Sequence, residues 1–166
     1  MRNDTARWDA PPSPDTSIVV PGLRIYRDSP SRLTLISGVR VRLDSDLPLV
    51  GWPDEAPDAA HALVLRRDRI LEVDGPARCD SWDEEKSVAR SDMTDGYGRV
   101  ILEGPAAMNL LRQGAEISLD IPSPAVTRLV FGLPAMLHRM SSDRFALFFT
   151  RAQLAAGWTA LQSHTS

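Results

Sequence analysis

The side chains able to do chemistry are few and scattered. Three histidines, His61, His138 and His164, and a single cysteine, Cys79, are the soft ligands and strong nucleophiles of the 166-residue chain. A general acid or base needs a positioned partner as well as a titratable ring. His138 stands in the apolar run Ala135-Met-Leu-His-Arg-Met140 with no orienting carboxylate beside it, and reads as a partly exposed strand histidine. His61 opens an apolar run and His164 lies in a polar tail, and neither has a second ligand at metal-binding spacing. Cys79 comes just before Trp82, where a helix start would favour a thiolate. Asp80 and Asp83 oppose that effect, so a silent thiol is expected.

Paired carboxylates are the next candidates. Asp92 and Asp95 flank Met93-Thr94 ahead of Gly96, and two such acids can divide acid and base roles, but Asp and Gly are equally the residues of a turn. The turn reading is preferred. A phosphate-binding loop needs backbone amides converging at a helix start, and neither GxGxxG nor GxxxxGK[ST] occurs. Glu103-Gly104-Pro105-Ala106 joins a strand to a helix with one glycine, and Pro105 lacks the amide a phosphate would use. The reading is therefore that this chain supplies no catalytic, cofactor-binding or metal-binding residue.

Surface chemistry is more suggestive. The net charge of −3, with both signs scattered, gives no electrostatic reason for a nucleic-acid partner. Asp80, Asp83, Glu84 and Glu85 form a local acidic patch, read as a solvated face in preference to a surface that steers a basic partner. Trp8, Trp52 and Trp82 fall in polar or proline-rich surroundings and are the interface candidates, because tryptophan concentrates in the cores of protein interfaces.

The elements that must position these residues follow from periodicity. Leu23–Leu43 alternates apolar and polar side chains in short runs, predicting strands. Asp44–Ala60, with its prolines and acids, reads as a surface excursion. His61–Leu65 and Arg69–Val73 flank the polar pair Arg67-Asp68, a hairpin signal. Ser81 and Glu84 have capping-box spacing and predict a short helix over about Trp82–Ala89. A strand over Tyr97–Glu103 precedes a helix that Pro105 opens and Gly114 closes in a left-handed conformation. Ala125–Phe131, Ala135–Met140 and Phe145–Phe149 predict two linked hairpins. Thr150 and Gln153 then cap a last helix whose stripe is Leu154, Trp158 and Leu161.

The order lacks the regular strand–helix alternation of a parallel doubly wound sheet, so the expected class is α+β, mostly antiparallel sheets with a few short helices. Residues 1–21, rich in Pro, Ser and Asp, read as a flexible or partner-ordered arm, and residues 22–166 as one domain. The N-terminus has no uninterrupted apolar stretch suited to a secretory signal or membrane anchor, and one cysteine permits no internal disulfide. No membrane role is expected, and a reducing cytoplasm suits the chain.

Several motifs together resemble a known family. Ser91–Asp120 carries a strand of form RVxLxGPxA, a helix with paired leucines, a glycine and a following Leu-Asp, with Gly104, Pro105, Ala106, Leu110, Leu111, Gly114, Leu119 and Asp120 as the matching residues. Leu137-His-Arg139, Ser142-Asp-Arg-Phe145-Ala-Leu147, Arg151 and Trp158 extend the likeness, as does Ala62–Leu71. In order and spacing this resembles the gamma subunit of heterotetrameric sarcosine oxidase, over roughly residues 60–162. The resemblance implies a fold related to the folate-binding domain of glycine-cleavage aminomethyltransferase. It also implies an accessory, non-catalytic role in a flavin-dependent complex that oxidatively demethylates sarcosine or a related N-methyl amino acid. FAD, FMN, NAD and tetrahydrofolate would then belong to the partner alpha and beta subunits. Phe131–His138 lacks the acid used by the aminomethyltransferase relatives. Two other readings stay open: a stand-alone tetrahydrofolate-binding module with Asp95 or Asp120 as its acid, and a scaffold for an unrelated enzyme.

Overall fold

The computed structural model describes Ser13, residues 15–39, Val41 and residues 45–165. Its elements run β1 (Ser17–Val20), β2 (Leu23–Asp28), β3 (Leu33–Gly38), β4 (Leu49–Val50), β5 (His61–Arg66), β6 (Arg69–Val73), β7 (Ser81–Asp83), β8 (Val88–Asp92) and β9 (Tyr97–Glu103). Helix α1 (Ala107–Gly114), β10 (Thr127–Val130), β11 (Leu133–Arg139), β12 (Arg144–Thr150), a 3-10 turn at Arg151–Gln153 and helix α2 (Leu154–Ser163) complete the chain. The strands form two six-stranded sheets, ordered β1-β2-β9-β12-β11-β10 and β4-β5-β6-β3-β8-β7. All pairings are antiparallel except β4 with β5. The α+β class expected from the sequence is the one observed.

The layers follow from which faces are apolar. One face of the first sheet sends Ile25, Val100, Leu102, Leu137, Phe145, Leu147 and Phe149 into a core closed by Leu110 and Leu111 of α1 and by Leu154, Trp158 and Leu161 of α2. Its other face gives Met136 and Phe148 to a core shared with Leu33, Leu63, Leu65, Leu71 and Val73 of the second sheet. The far face of the second sheet packs Ile36, Ala62, Val64, Ile70 and Val88 with Val41 and Leu47. A strand covered on both sides reads as a continuous apolar run, and β12 shows why: Phe145, Leu147 and Phe149 face the helices, and Phe148 faces the second sheet.

The hairpins of β5–β6 and β10–β11–β12 form as their patterns predict. In the β10–β11 turn Phe131 and Gly132 have φ of 52° and 74°, the double left-handed geometry that matches strand twist in a two-residue loop. Within the stretch read as an arm, Ser17–Val20 pairs with β2 as β1, while residues 1–12 and Pro14, Trp8 among them, lie outside the described residues.

Five local expectations are corrected. The helix predicted over Trp82–Ala89 is instead the β7–β8 hairpin. Asp83 Oδ1 accepts the Lys86 amide at 3.0 Å and Ser87 takes φ of 52°, a turn that competes with a helical start. Pairing of β8 with β3 from Thr34 to Gly38 then outweighs local propensity. Strand character ends at Gly38, and Val41 is buried, with Arg40 and residues 42–44 outside the described residues. The stretch 44–60 is not all surface, because Val50, Trp52 and Ala56 are buried. Gly114 is not left-handed: a side chain there would run into the Phe131 ring at 2.5 Å, so close approach explains the glycine. Thr150 Oγ1 donates to Gln153 Oε1 at 2.9 Å and makes no cap to a backbone amide.

Candidate functional site

The two sheets meet along a seam, and the inward positions of the first sheet line up across its strands. Thr127, Met136, Phe148, Arg99 and Asp28 form one cross-strand row, and His138, Ala146, Ile101 and Tyr26 form the next. Opposite them, His61 starts the inward row of β5 that continues with Leu63 and Leu65. The seam therefore holds an apolar body with a small polar cluster inside it.

Two histidines that are far apart in sequence face each other there. The His61 and His138 rings lie 5.7 Å apart between centroids, and His138 stacks on Phe148 at 5.8 Å. His138 is fully buried, not partly exposed as read from the sequence. One polar residue inside an apolar run does not reveal which layer covers it. Burial, then the neighbouring His61 and Arg99, push the His138 pKa down to about 3. Burial is also the main cause lowering that of His61, whose Nδ1 lies 2.9 Å from the Ala59 carbonyl. Among the described residues, both nitrogens of His138 and Nε2 of His61 have no hydrogen-bond partner. These rings are neutral at physiological pH and closed to solvent, an arrangement suited to packing and unsuited to proton exchange with a substrate.

Arg99 completes the cluster and was not singled out from the sequence. It is 8% exposed, its Nη2 donates to Asp28 Oδ2 at 2.5 Å, and its guanidinium lies 5.8 Å from the Phe148 ring centroid. Asp74 contributes from the second sheet's side. Partial burial would raise its pKa, but hydrogen bonds from the Ser31 hydroxyl and amide and from the Arg32 amide, with the Arg99 charge, bring it below the ordinary value. A buried acid, Glu72, sits on the outer side of the second sheet. It accepts from Arg78 Nε at 3.1 Å and Ser45 Oγ at 2.8 Å, fastening the flanking loops.

The remaining sequence candidates stay apart. Cys79 is exposed, and the segment after it is a strand, so no helix dipole acts on the thiol. Asp92 Oδ1 accepts from Thr94 N and Oγ1 at 2.9 and 2.6 Å, the turn arrangement expected, and those two bonds, side chain first, lower its pKa. Asp120 pairs with Arg112 at 2.7 Å. His164 packs on Phe131 with centroids 4.4 Å apart. Among the described residues no three of His, Cys, Asp and Glu cluster to hold a metal ion, and no helix is long and apolar enough to cross a membrane.

The three tryptophans separate clearly. Trp52 is 2% exposed, donates from Nε1 to the Leu119 carbonyl at 2.8 Å and packs on Phe145, so this interface candidate is used inside its own domain. Trp82 is 63% exposed on β7, an edge strand, beside the acidic Asp83 and Glu84. Trp8 lies outside the described residues.

Comparison with known proteins rests on this architecture. No family model and no curated protein matches the sequence. Among solved structures, heterotetrameric sarcosine oxidase from Corynebacterium sp. U-96, in complex with pyrrole 2-carboxylate, contains a chain that aligns with a TM-score of 0.64 at 16% identity. The alignment covers 87% of this chain and 86% of that one. The fold is that of a chain of heterotetrameric sarcosine oxidase. The likeness to sarcosine oxidase covers most of both chains and agrees with the family resemblance read from the sequence.

Proposed function

We propose that this chain is an accessory, non-catalytic subunit of a heteromeric, flavin-dependent enzyme of the sarcosine oxidase type, acting in the cytoplasm. That complex oxidatively demethylates sarcosine or a related N-methylated amino acid, and this chain stabilises the assembly in the place of a gamma subunit. FAD, FMN, NAD and tetrahydrofolate are held by the partner alpha and beta subunits, and the fold is kin to the aminomethyltransferase folate-binding domain. The observation that carries the reading is the nearly end-to-end likeness to one chain of a heterotetramer, 87% of one and 86% of the other. The chemistry of the seam supports it, because the titratable rings of His61 and His138 are buried against each other and away from any substrate.

The test is purification of the chain from its native source. Elution in constant proportion with larger subunits that carry flavin absorption is the expected result, and a colourless monomer overturns the reading. Calorimetric titration of the isolated chain with tetrahydrofolate separates it from the folate-module alternative: stoichiometric heat favours the module, and its absence the accessory role.

A further inference from the structure

At one end the seam between the sheets opens into a cleft of about 150 Å³, lined by Leu65, Tyr97, Met136 and Phe148 and by the side chains of Arg66 and Arg69. Arg66 and Arg69 are paired across the β5–β6 hairpin just past a register shift between Val64 and Arg66, and both line the cleft side by side. Like charges in that relation repel. The turn between them adds Arg67 and only one acid, Asp68, and among the described residues neither Arg66 nor Arg69 has an ion pair or side-chain hydrogen bond. Elsewhere in the chain the seam's cation is matched, as Arg99 is by Asp28. The floor of the cleft is apolar and aromatic, with the exposed hydroxyl-bearing residues Thr127 and Thr150 at its rim.

We propose that this cleft is a binding site for a small organic acid, a carboxylate carried on a flat apolar group. The two guanidiniums would take the carboxylate oxygens, a geometry that guanidinium planes match with paired hydrogen bonds. Tyr97, Met136 and Phe148 would cover the apolar part. The volume suits a single six-membered ring, since a cavity of about 150 Å³ holds benzene. The site belongs to this chain alone and does not depend on the assembly reading.

The test uses the isotope-labelled full chain, followed by NMR at constant ionic strength, with benzoate, benzamide, acetate and inorganic phosphate as probes. Benzoate moves the signals of Arg69, Tyr97 and Thr150 in a saturable way, and the other three bind more weakly. Arg66→Gln with Arg69→Gln raises the half-saturating benzoate concentration by roughly tenfold or more, equivalent to removing a charge-assisted contact. Both arginines are exposed, so the variant folds, and an unchanged spectrum outside the cleft verifies this. Equal binding of benzamide overturns the role of the arginines. Phosphate binding as tightly as benzoate overturns the role of the apolar walls. No saturable shift with benzoate overturns the site as a small-molecule site.

Discussion

The His138 ring faces that of His61 across the seam at 5.7 Å between centroids, two imidazoles from different sheets buried without a carboxylate between them. The neutral form of His138 is favoured in the folded chain, with a pKa of about 3 against 6.5 for the exposed group. A depressed folded pKa means that the unfolded chain binds the proton first. Stability is therefore full above pH 6.5 and is lost as pH falls from there toward 3, with a slope approaching about 1.4 kcal/mol per pH unit. The lowered His61 pKa adds to the same trend. Replacing His138 by Leu removes both unpartnered nitrogens, so it should flatten this slope and change stability at neutral pH by no more than about 1 kcal/mol. Thermal unfolding of both proteins across that range, followed by circular dichroism, decides it: an equally steep decline in the variant rejects the account.

Asp28 and Arg99 bind the start and the middle of the first sheet across 71 residues. Asp28→Asn leaves the Arg99 guanidinium buried without its counter-charge. Because the Asp28 side chain is 34% exposed, water can partly replace it, and the loss should be about 2–3 kcal/mol, below the 3–5 of a fully buried pair. Urea unfolding measures this. Adding Arg99→Met to the same protein should recover much of the loss, and a double variant no better than the single one contradicts the assignment.

Gly157, midway along α2, sits where a side chain would meet the Phe149 ring at 2.8 Å. Helix propensity favours Ala over Gly by about 1 kcal/mol, while overpacking costs about 1–3. Phe149 is 1% exposed and cannot swing aside, so packing wins. Gly157→Ala should destabilise by up to about 2 kcal/mol, and pairing it with Phe149→Leu should reduce that penalty. A stabilised single variant would show that the ring gives way after all.

Trp82 offers a direct link between surface and assembly. Exposed on an edge strand, it supports little of its own domain, so Trp82→Ala should shift unfolding by less than about 0.5 kcal/mol. If the chain docks to partner subunits through this edge, the same change weakens association by roughly tenfold or more, as loss of an aromatic anchor does. Co-elution with the flavin-bearing fraction reads the second effect, and unaltered co-elution removes Trp82 from the interface.

Much of the fold was legible because its signals are local. The β5–β6 hairpin announces itself by apolar runs around Arg67-Asp68, and β12 by a run too long and too apolar to have a wet face. The β7–β8 region was not, since Ser81 and Glu84 have helical spacing while the partner that decides the matter is β3, about fifty residues earlier. The seam was half legible. Alternation puts His61 with Leu63 and Leu65, and His138 with Met136, on one face each, but nothing in either strand states that the two faces meet. Arg99, between Gly98 and Val100, gives no sign of burial because its counter-ion lies in β2.

The chain leaves the first sheet after β2 and returns to it only at β9, having built the whole second sheet in between. During synthesis on the ribosome the β1–β2 hairpin must therefore wait, one long edge unpaired, until its neighbour emerges. Closing that loop is cheaper once the intervening strands have collapsed together and drawn its ends close, so prior assembly of the second sheet favours completion of the first.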